Sequence, residues 1–545
     1  MAVQDQKDLP VHVDGRKSSV VEIQDEQGHK KVVNLENLTA ADKALAEQFG
    51  YNPVFKREFG YLACFSFAVS ISGLFSTTAT TFVFPLTSGG ASAVVWCWFI
   101  SGLGCLCIAF SVAELVSAYP TCGGLYFAVS RLAPREHVPW ISWITGWLNL
   151  LGQVAGVASS QYGGAQLLLA AVSMGSDFSY VPTNNHTVGV MAGLTIIAGI
   201  LNSLPTNWME KMTRTYVIFH IIVLLCGSIA LLAKTENKHS AHYVFTNVES
   251  TTGWTPMGWS WLFGFLSVSW TMTDYDATAH IAEEISEPEL KAPWAISMAM
   301  VFTFVAGWLY NIVLAFCMGN PEEILASPVA QPVAQIYYNS LGKAGGVAFT
   351  VFAFLIIEFV CWTALQATAR TFFAFSRDRL IPMSHVWTKI SPITGTPLNA
   401  VWLATVLCIL INLIALGSYI AISGVFNVCA IALDWSYTIP IICKLIWGNF
   451  KPGPWNLGIF SKAINAWAII WTAFVSIIFI LPTVRPVKAD NMNYAIAFLG
   501  GIFIAASIYW YADGRRFYTG PIVEAHVMDS PGATSDVDDK KAGEA

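Results

Sequence analysis

The residue types best suited to binding chemistry in this chain stand together in one polar stretch, residues 269–276, inside a long apolar segment. The stretch holds two carboxylates, three Ser or Thr hydroxyl groups and two large aromatic rings. Polar side chains are costly in lipid unless they face a polar cavity. We therefore expect residues 269–276 to form one half of a substrate site and the uncharged residues 70–74 to form the other. Within residues 269–276, the residues expected to bind the substrate are Trp270, Thr271, Thr273 and Tyr275.

The composition around these stretches is that of a membrane protein. Hydrophobic residues make up 55% of the chain and charged residues 12%, against roughly 25% charged residues in soluble domains. Residues 59–113 contain no Asp, Glu, Lys or Arg, and a helix of about 20 apolar residues crosses a bilayer. The apolar runs lack the alternation of β-barrel strands. We therefore predict an all-α polytopic membrane protein.

Several other classes of function are disfavoured. The net charge of −6 is small for 545 residues, which argues against nucleic acid as a partner. Nearly all of the 11 cysteines lie in apolar runs without metal-ligand spacing. The sequence has no HExxH, GxSxG or phosphate-binding glycine motif. We expect no enzyme activity, no cofactor, no metal site and no cleavable signal peptide.

Twelve apolar segments are predicted to cross the membrane as helices and to form a transporter domain over residues 58–516. Cytosolic tails are expected over 1–57, with a short helix over 38–49, and over 517–545. The predicted crossings lie near residues 61–85, 91–116, 140–172, 188–205, 215–233, 257–276, 295–318, 345–370, 398–417, 419–442, 464–483 and 491–512.

The basic residues predict the orientation of these segments. With both termini in the cytosol, most of the 29 Lys and Arg residues fall inside, as the positive-inside rule requires. The glycosylation sequon at Asn185 then lies outside, and the one at Asn37 lies inside and is unused. Membrane lipid is the expected surrounding, in the plasma membrane or, as the alternative, in the vacuolar or another internal membrane. The outer loops hold Lys234, Lys238, Lys343, Arg485 and Lys488.

Two of the predicted crossings are interrupted at equivalent positions. The first is broken at residues 70–73 and the sixth at 271–275. Interrupted helices in matching halves indicate a transporter site near the bilayer midplane. We therefore predict two inverted repeats of five helices, residues 61–233 and 257–447, followed by two extra helices over 464–512. The alternative for Gly73 alone is that it merely lets helices pack closely.

A motif after the second crossing carries a family resemblance. Glu114 leads to Tyr119-Pro120-Thr121-Cys122-Gly123-Gly124-Leu125-Tyr126, which resembles the signature of the amino acid–polyamine–organocation superfamily. Within it, the chain looks like the fungal amino acid/choline transporter branch, which includes γ-aminobutyrate and choline permeases. The stretches 276–284, 375–382 and 396–400 support that branch. The resemblance covers roughly residues 45–515.

The resemblance implies the leucine-transporter fold, alternating access and secondary active transport. In that fold, backbone N–H groups at the first break can hold a substrate carboxylate at the positive end of a half-helix. Here those groups map to Ser72, Gly73 and Leu74, with the hydroxyls of Ser70 and Ser72 as further binding groups. The chain departs from the superfamily's usual Gly-x-Gly at this point, because Ser72 leaves a single glycine.

A polar face follows the sixth break. Asp276, His280 and Glu283 recur at i, i+4 and i+7, which places them on one side of a helix. One interpretation is an inner gate or ion pathway; the other is a solvated, capped helix end near the cytosol. We assign Asp276 to proton coupling or gating, and we interpret Glu283 and Glu284 as a solvated helix end.

Two titratable residues lie inside other apolar segments. Glu358 is costly in lipid, by about 2.5–3.5 kcal/mol on insertion scales. It could bind a substrate ammonium or carry a coupling proton, or it could be a protonated structural acid. Some proton-coupled members of the superfamily carry a lysine in a stretch that resembles the one around His220. Since histidine titrates near neutral pH, His220 is a candidate for proton coupling, with a purely structural role as the alternative.

The remaining polar residues of the apolar segments are given lesser roles. Asn149, Gln153 and Asp434 are interpreted mostly as packing or hydrogen-bonding residues. The loop residues Arg370, Arg377 and Arg379 are interpreted as topology-setting cations beside lipid head groups.

The predicted function is a permease that imports an amino acid or related amine with a proton, with γ-aminobutyrate as the first candidate. The alternative substrate is a cation such as choline, a polyamine or thiamine. Choline would require an aromatic cage, for which the chain offers Trp270, Tyr275 and Trp362. The alternative of another class is a nutrient sensor with the same fold that does not transport.

Overall fold

A computed structural model describes residues 20–24, 30–34, 38–49, 51, 54–416, 419–488, 491–521 and 526–527. The chain divides into two compact units, one made of residues 1–54 with 522–545 and the other of residues 55–521. The two units are described separately below.

The smaller unit contains a short antiparallel sheet that was not predicted. Its strands are β1 (Val20–Gln24), β2 (Lys30–Asn34) and β3 (His526–Val527), in the order β2-β1-β3. Helix α1 (Ala40–Phe49) corresponds to the helix predicted over 38–49. Thr39 begins this helix, because its Oγ1 accepts the N–H of Asp42 at 3.2 Å, which satisfies a backbone donor that the helix itself leaves unpaired.

The named secondary-structure elements in the described part of the larger unit are helices. Its first helices are α2 (Tyr61–Ser72), α3 (Leu74–Thr81), α4 (Val83–Ala118), α5 (Gly124–Leu132), α6 (Val138–Gly175), α7 (Asn184–Asn202), α8 (Thr206–Lys234) and α9 (Ala241–Thr246). The central ones are α10 (Met257–Leu262), α11 (Phe265–Thr271), α12 (Ala277–His280), α13 (Pro288–Cys317), α14 (Pro321–Leu325) and α15 (Pro332–Arg377). The last are α16 (Ser384–Trp387), α17 (Leu398–Asn412), α18 (Tyr419–Trp447), α19 (Ser461–Ile480), α20 (Ala495–Tyr509) and α21 (Arg515–Phe517).

Ten spans in the described part are long and apolar enough to cross a membrane. The predicted third crossing corresponds to α6, and the predicted sixth corresponds to the short helices α10 to α12; neither is among the ten. The all-α membrane class is confirmed, whereas the number twelve and the inverted repeat stay predictions.

The interrupted helices lie at the centre of the bundle. In the first crossing, α2 with α3, 89% of the most apolar stretch is buried, whereas the corresponding share is 11% over residues 495–517. The long helix α6 packs against both α15 and α18, and α13 packs against α4. Buried helices surround both breaks, while the peripheral helices present apolar side chains outward, as lipid requires.

Candidate functional site

The first helix breaks at Gly73. This residue has φ +45°, a left-handed conformation that glycine adopts without steric cost. Its N–H donates to the carbonyl of Val69 at 3.1 Å, so it caps α2 and is not available to a ligand. A Cβ at this position would lie 2.1 Å from Cγ2 of Val360 on α15. The break therefore depends on a residue without a side chain, and the N–H of Leu74 is the first of the next half-helix.

His220 on α8 holds the start of that half-helix. Its Nε2 accepts the backbone N–H of Phe75 at 3.2 Å, and its Nδ1 lies 3.4 Å from the hydroxyl of Tyr216. The imidazole is fully buried. Because a backbone N–H can only donate, Nε2 carries no proton in this arrangement. The structure thus places His220 directly at the first break.

The two serines of the first break differ in their contacts. Ser70 Oγ lies 2.7 Å from the Phe67 carbonyl and 3.0 Å from Oγ1 of Thr363, which ties α2 to α15. Ser72 Oγ is buried and has no hydrogen-bond partner among the described residues. Ser72 therefore keeps its hydroxyl available for a ligand, whereas that of Ser70 is engaged in helix packing.

The sixth crossing breaks between α11 and α12, and Asp276 stands at the start of α12. One carboxylate oxygen of Asp276 accepts the hydroxyl of Tyr437 on α18. The other oxygen accepts the amide of Asn149 on α6 at 2.8 Å and lies 3.0 Å from Nε2 of His280. Asp276 is fully buried, and its oxygens join α6, α12 and α18. Its contacts are those of a junction between helices.

Asp274, two residues earlier, was not singled out by the sequence. Its φ of +58° lies in the left-handed region, which is strained for a side-chain-bearing residue. Oδ1 accepts the amide of Gln153 on α6 at 2.6 Å. Oγ1 of Thr368 lies 3.2 Å from the amide oxygen of Gln153, which directs the amide NH₂ towards Asp274. The polar content of residues 269–276 was the available signal.

The aromatic residues of the sixth break have separate neighbours. Trp270 donates its indole N–H to Ser159 on α6 at 3.0 Å and packs against Phe426, with ring centres 4.8 Å apart. Tyr275 packs against the ring of Tyr437. The buried hydroxyls without partners among the described residues at this break are those of Thr271, Thr273 and Tyr275.

The carboxylates after the sixth break form buried ion pairs. Glu283 accepts two hydrogen bonds from Arg377, at 2.9 and 3.2 Å, and the N–H of Cys122 at 3.1 Å. Glu284 lies 2.6 Å from Nε of Arg370. All four charged side chains are buried. The expectation of a solvated helix end was therefore wrong, and so was the assignment of Arg370 and Arg377 to lipid head groups.

The segment before the first helix joins this cluster. The N–H of Phe59 donates to the Glu284 carbonyl at 3.0 Å, and the N–H of Ser286 donates to the Phe59 carbonyl at 3.1 Å. Arg57 donates to the carbonyls of Ala282 and Ile285, at 3.2 and 2.7 Å. We call these bonds, together with the two Glu–Arg pairs and the bond from the N–H of Cys122 to Glu283, the inner clasp. Sequence reasoning missed it, because its members lie far apart along the chain.

The acidic residue of the signature motif also has a partner. Glu114 on α4 pairs with Lys444 on α18 and accepts the hydroxyl of Ser461 at 2.8 Å. The backbone N–H of Leu457 donates to its other oxygen at 3.2 Å. This residue therefore joins α4, α18 and α19.

Glu358 on α15 is buried against α6. A Cβ added to Gly164 of α6 would lie 2.8 Å from its Oε1, so the carboxyl group packs against α6. Oε1 has no hydrogen-bond partner among the described residues. The structure brings together Ser72, Leu74 and His220 at one break and Trp270 to Asp276 at the other. In the part of the chain that the structure describes, no cluster of His, Cys, Asp or Glu could hold a metal ion.

Comparison with known proteins identifies similar chains over most of this length. A family model described as amino acid permease matches residues 59–503. An uncharacterized amino-acid permease of Schizosaccharomyces pombe is 57% identical over 478 residues, which is 87% of this chain and 88% of that protein. Amino-acid permease 2 of Neurospora crassa is 49% identical over 487 residues, 89% of this chain and 90% of that protein. Amino-acid permease BAT1 of Arabidopsis thaliana is 29% identical over 492 residues, 87% and 95% of the two chains. The matched region of the family model includes both helix breaks.

Proposed function

Because this chain belongs to the amino acid permease family, we propose that it imports an amino acid or related amine by alternating access, coupled to a proton. γ-Aminobutyrate is the first substrate to test. Family membership makes the chain an amino acid transporter rather than an enzyme, and a multi-pass integral membrane protein. The finer points of substrate, coupling ion and location in the plasma membrane with cytosolic termini are our proposal.

The observation that carries the proposal is the pair of breaks in buried helices. Each break leaves backbone groups without the hydrogen bonds of a continuous helix. The first break carries one buried hydroxyl without a partner among the described residues, that of Ser72, and the sixth carries three. In a membrane interior such groups are expensive unless a ligand or water satisfies them. A zwitterionic substrate supplies a carboxylate for the N–H of Leu74 and an amino group for acceptors at the sixth break.

The inner clasp supports alternating access. It joins the segments next to both broken helices by buried ion pairs and backbone hydrogen bonds. A path from the site to the side of the clasp requires these bonds to open, so we assign the clasp to the inner gate. Asp276 contributes to the same gate, because it connects α12 to α6 and α18.

Proton coupling is assigned to His220. Protonation of Nε2 would replace its acceptor by a donor facing the N–H of Phe75, and the bond at the first break would be lost. A proton on His220 therefore changes the geometry of the half-helix whose N–H groups face the substrate.

Choline has less support from the geometry than an amino acid. The three rings of the expected cage pack against different neighbours: Trp270 against Phe426, Tyr275 against Tyr437 and Trp362 against Phe359. A quaternary ammonium also brings no anion for the first break.

Competition uptake in cells lacking their own amino-acid permeases tests the proposal. A labelled amino acid mixture is taken up in the presence of unlabelled γ-aminobutyrate, choline, spermidine or lysine. We expect γ-aminobutyrate or lysine to compete and choline to leave uptake unchanged. Choline uptake without amino acid uptake would contradict the proposal, as would downstream signalling without any flux.

A further inference from the structure

The two carboxylates of the sixth break have different hydrogen-bond environments. Both oxygens of Asp276 are engaged, by three side chains from α6, α12 and α18. At Asp274, Oδ1 accepts the amide of Gln153, while Oδ2 has no hydrogen bond or ion pair among the described residues. Asp276 is 0% exposed, whereas Asp274 keeps 6% of its surface exposed. One carboxylate is therefore saturated, and the other has an acceptor oxygen without a hydrogen-bond partner among the described residues.

Among the described residues, no cationic side chain forms a hydrogen bond or ion pair with the Asp274 carboxylate. The recorded polar contact of its carboxylate is the neutral amide of Gln153, and the nearest carboxylate along the chain is Asp276. No Lys or Arg lies in the described sequence between residues 240 and 290. A carboxylate deep in a membrane protein is costly without a compensating charge. A ligand that carries a positive charge would supply what the protein does not.

The sixth break also brings several hydrogen-bond acceptors together. The last carbonyl groups of α11 have no partners within that helix, and the C-terminal end of a helix favours positive charge. Thr271, the last residue of α11, and Thr273, next to Asp274 in the chain, have buried hydroxyls without partners among the described residues. The strained φ of +58° at Asp274 is a conformation that a residue keeps only when its surroundings enforce it.

We infer that Asp274 binds the protonated amino group of the transported substrate through its free Oδ2, while Asp276 positions the helices of the gate. This inference rests on the proposed function. It assigns the amine-binding role to Asp274, which sequence reasoning passed over, instead of to Glu358. The substrate class that follows is amines with a reachable ammonium and, for the first break, a carboxylate; a carboxylate alone is not sufficient.

The test uses the purified full-length protein and two matched acid-to-amide variants, Asp274→Asn and Asp276→Asn. Ligand-induced thermal stabilisation is measured with L-alanine, L-lysine and γ-aminobutyrate, and with butyrate, which lacks the amino group of γ-aminobutyrate. We expect Asp274→Asn to raise the amine concentration needed for half-maximal stabilisation at least about 10-fold. A tenfold loss of affinity corresponds to about 1.4 kcal/mol. Asp276→Asn should slow uptake in vesicles and keep amine binding within about threefold of wild type.

The outcomes separate this inference from the proposed function. If no amine stabilises the wild-type protein and vesicles show no uptake, the proposed function fails. If the wild type binds amines and Asp274→Asn binds them equally well, the assignment of Asp274 is overturned while the function stands. Loss of amine binding in Glu358→Gln, with Asp274→Asn unaffected, would return the role to Glu358. Comparable stabilisation of the wild type by butyrate and by γ-aminobutyrate would also overturn the inference.

Discussion

At the scale of single residues, the first break depends on one glycine. Gly73 combines a positive φ with an approach to Val360 that leaves no room for a Cβ. A left-handed conformation costs an L-residue about 1–2 kcal/mol, and overpacking adds typically about 1–3 kcal/mol. With a side chain at position 73, both costs would raise the free energy of the conformation that exposes the N–H of Leu74.

The first prediction is that Gly73→Ala abolishes most uptake while the protein still reaches the membrane. Substrate affinity should fall at least tenfold, measured by competition binding. Gly500→Ala is the matched control, since a Cβ at Gly500 on α20 meets no atom within 4 Å. Adding Val360→Ala to Gly73→Ala removes the overlap and leaves the strain in φ, so it should restore only part of the affinity. Wild-type uptake by Gly73→Ala would contradict this account of the break.

The second prediction concerns His220, whose Nε2 accepts a backbone N–H. A glutamine has an amide oxygen that can accept the same bond and does not titrate near neutral pH. We expect His220→Gln to keep substrate binding and to lose the dependence of accumulation on pH between about 5 and 8. His220→Ala should lose both. The measurement is uptake into vesicles with an imposed pH gradient. Uptake by His220→Gln that still rises at acid pH would place the coupling proton elsewhere.

At the scale of elements, the inner clasp joins segments that are distant in sequence. Residues 57–59, the loop residue Cys122, the end of the sixth crossing and α15 meet through buried ion pairs and backbone bonds. Removing one partner of a buried ion pair typically costs about 3–5 kcal/mol, because the other charge is left unpaired. The clasp is therefore sensitive to single substitutions.

The third prediction is that Arg377→Ala opens the inner side. Cys122 is fully buried, and its N–H bonds to the carboxylate that Arg377 holds. Alkylation of Cys122 should speed up at least tenfold, measured by mass spectrometry of its peptide. Lys343→Ala is the control, because its pair with Asp177 is exposed and is worth at most about 1 kcal/mol. The double variant Glu283→Gln/Arg377→Gln should be less open than Arg377→Ala. An unchanged rate of Cys122 alkylation in Arg377→Ala would show that the inner clasp is not part of the gate.

The sequence predicted the location of the breaks better than the hydrogen bonds and ion pairs around them. Polar residues and Gly73 inside apolar runs were enough to locate both breaks, since lipid tolerates few such residues. Pairings such as Glu283 with Arg377 were not predictable, because 94 residues separate the partners and nothing local distinguishes a paired charge from a solvated one. The spacing to His280 and Glu283 singled out Asp276 and gave Asp274 no role, and only the neighbours on α6 and α18 show how the hydrogen bonding of the two carboxylates differs.

At the scale of the whole molecule, orientation is the property to test. The distribution of Lys and Arg predicts cytosolic termini, which places Asn185 on the opposite side of the membrane. Asn185 is exposed at the start of α7, so its side chain is accessible to a modifying enzyme.

The fourth prediction is that Asn185 carries a glycan in a eukaryotic host. Treatment with an endoglycosidase should shift the wild-type band on a gel, and Asn185→Gln should lack this shift. Asn37→Gln is the control, because its sequon lies in the cytosol under the predicted orientation and should not be modified. A shift that depends on Asn37 would invert the predicted topology.

The hydrogen bonds between α6 and the sixth break restrict how that break can move. Asn149, Gln153 and Ser159 of α6 bond in turn to Asp276, Asp274 and Trp270. Together the three bonds fix the axial register of the two segments. A slide of one helical turn, about 5.4 Å, would break all three bonds together. The three bonds therefore oppose translation of the sixth segment along α6.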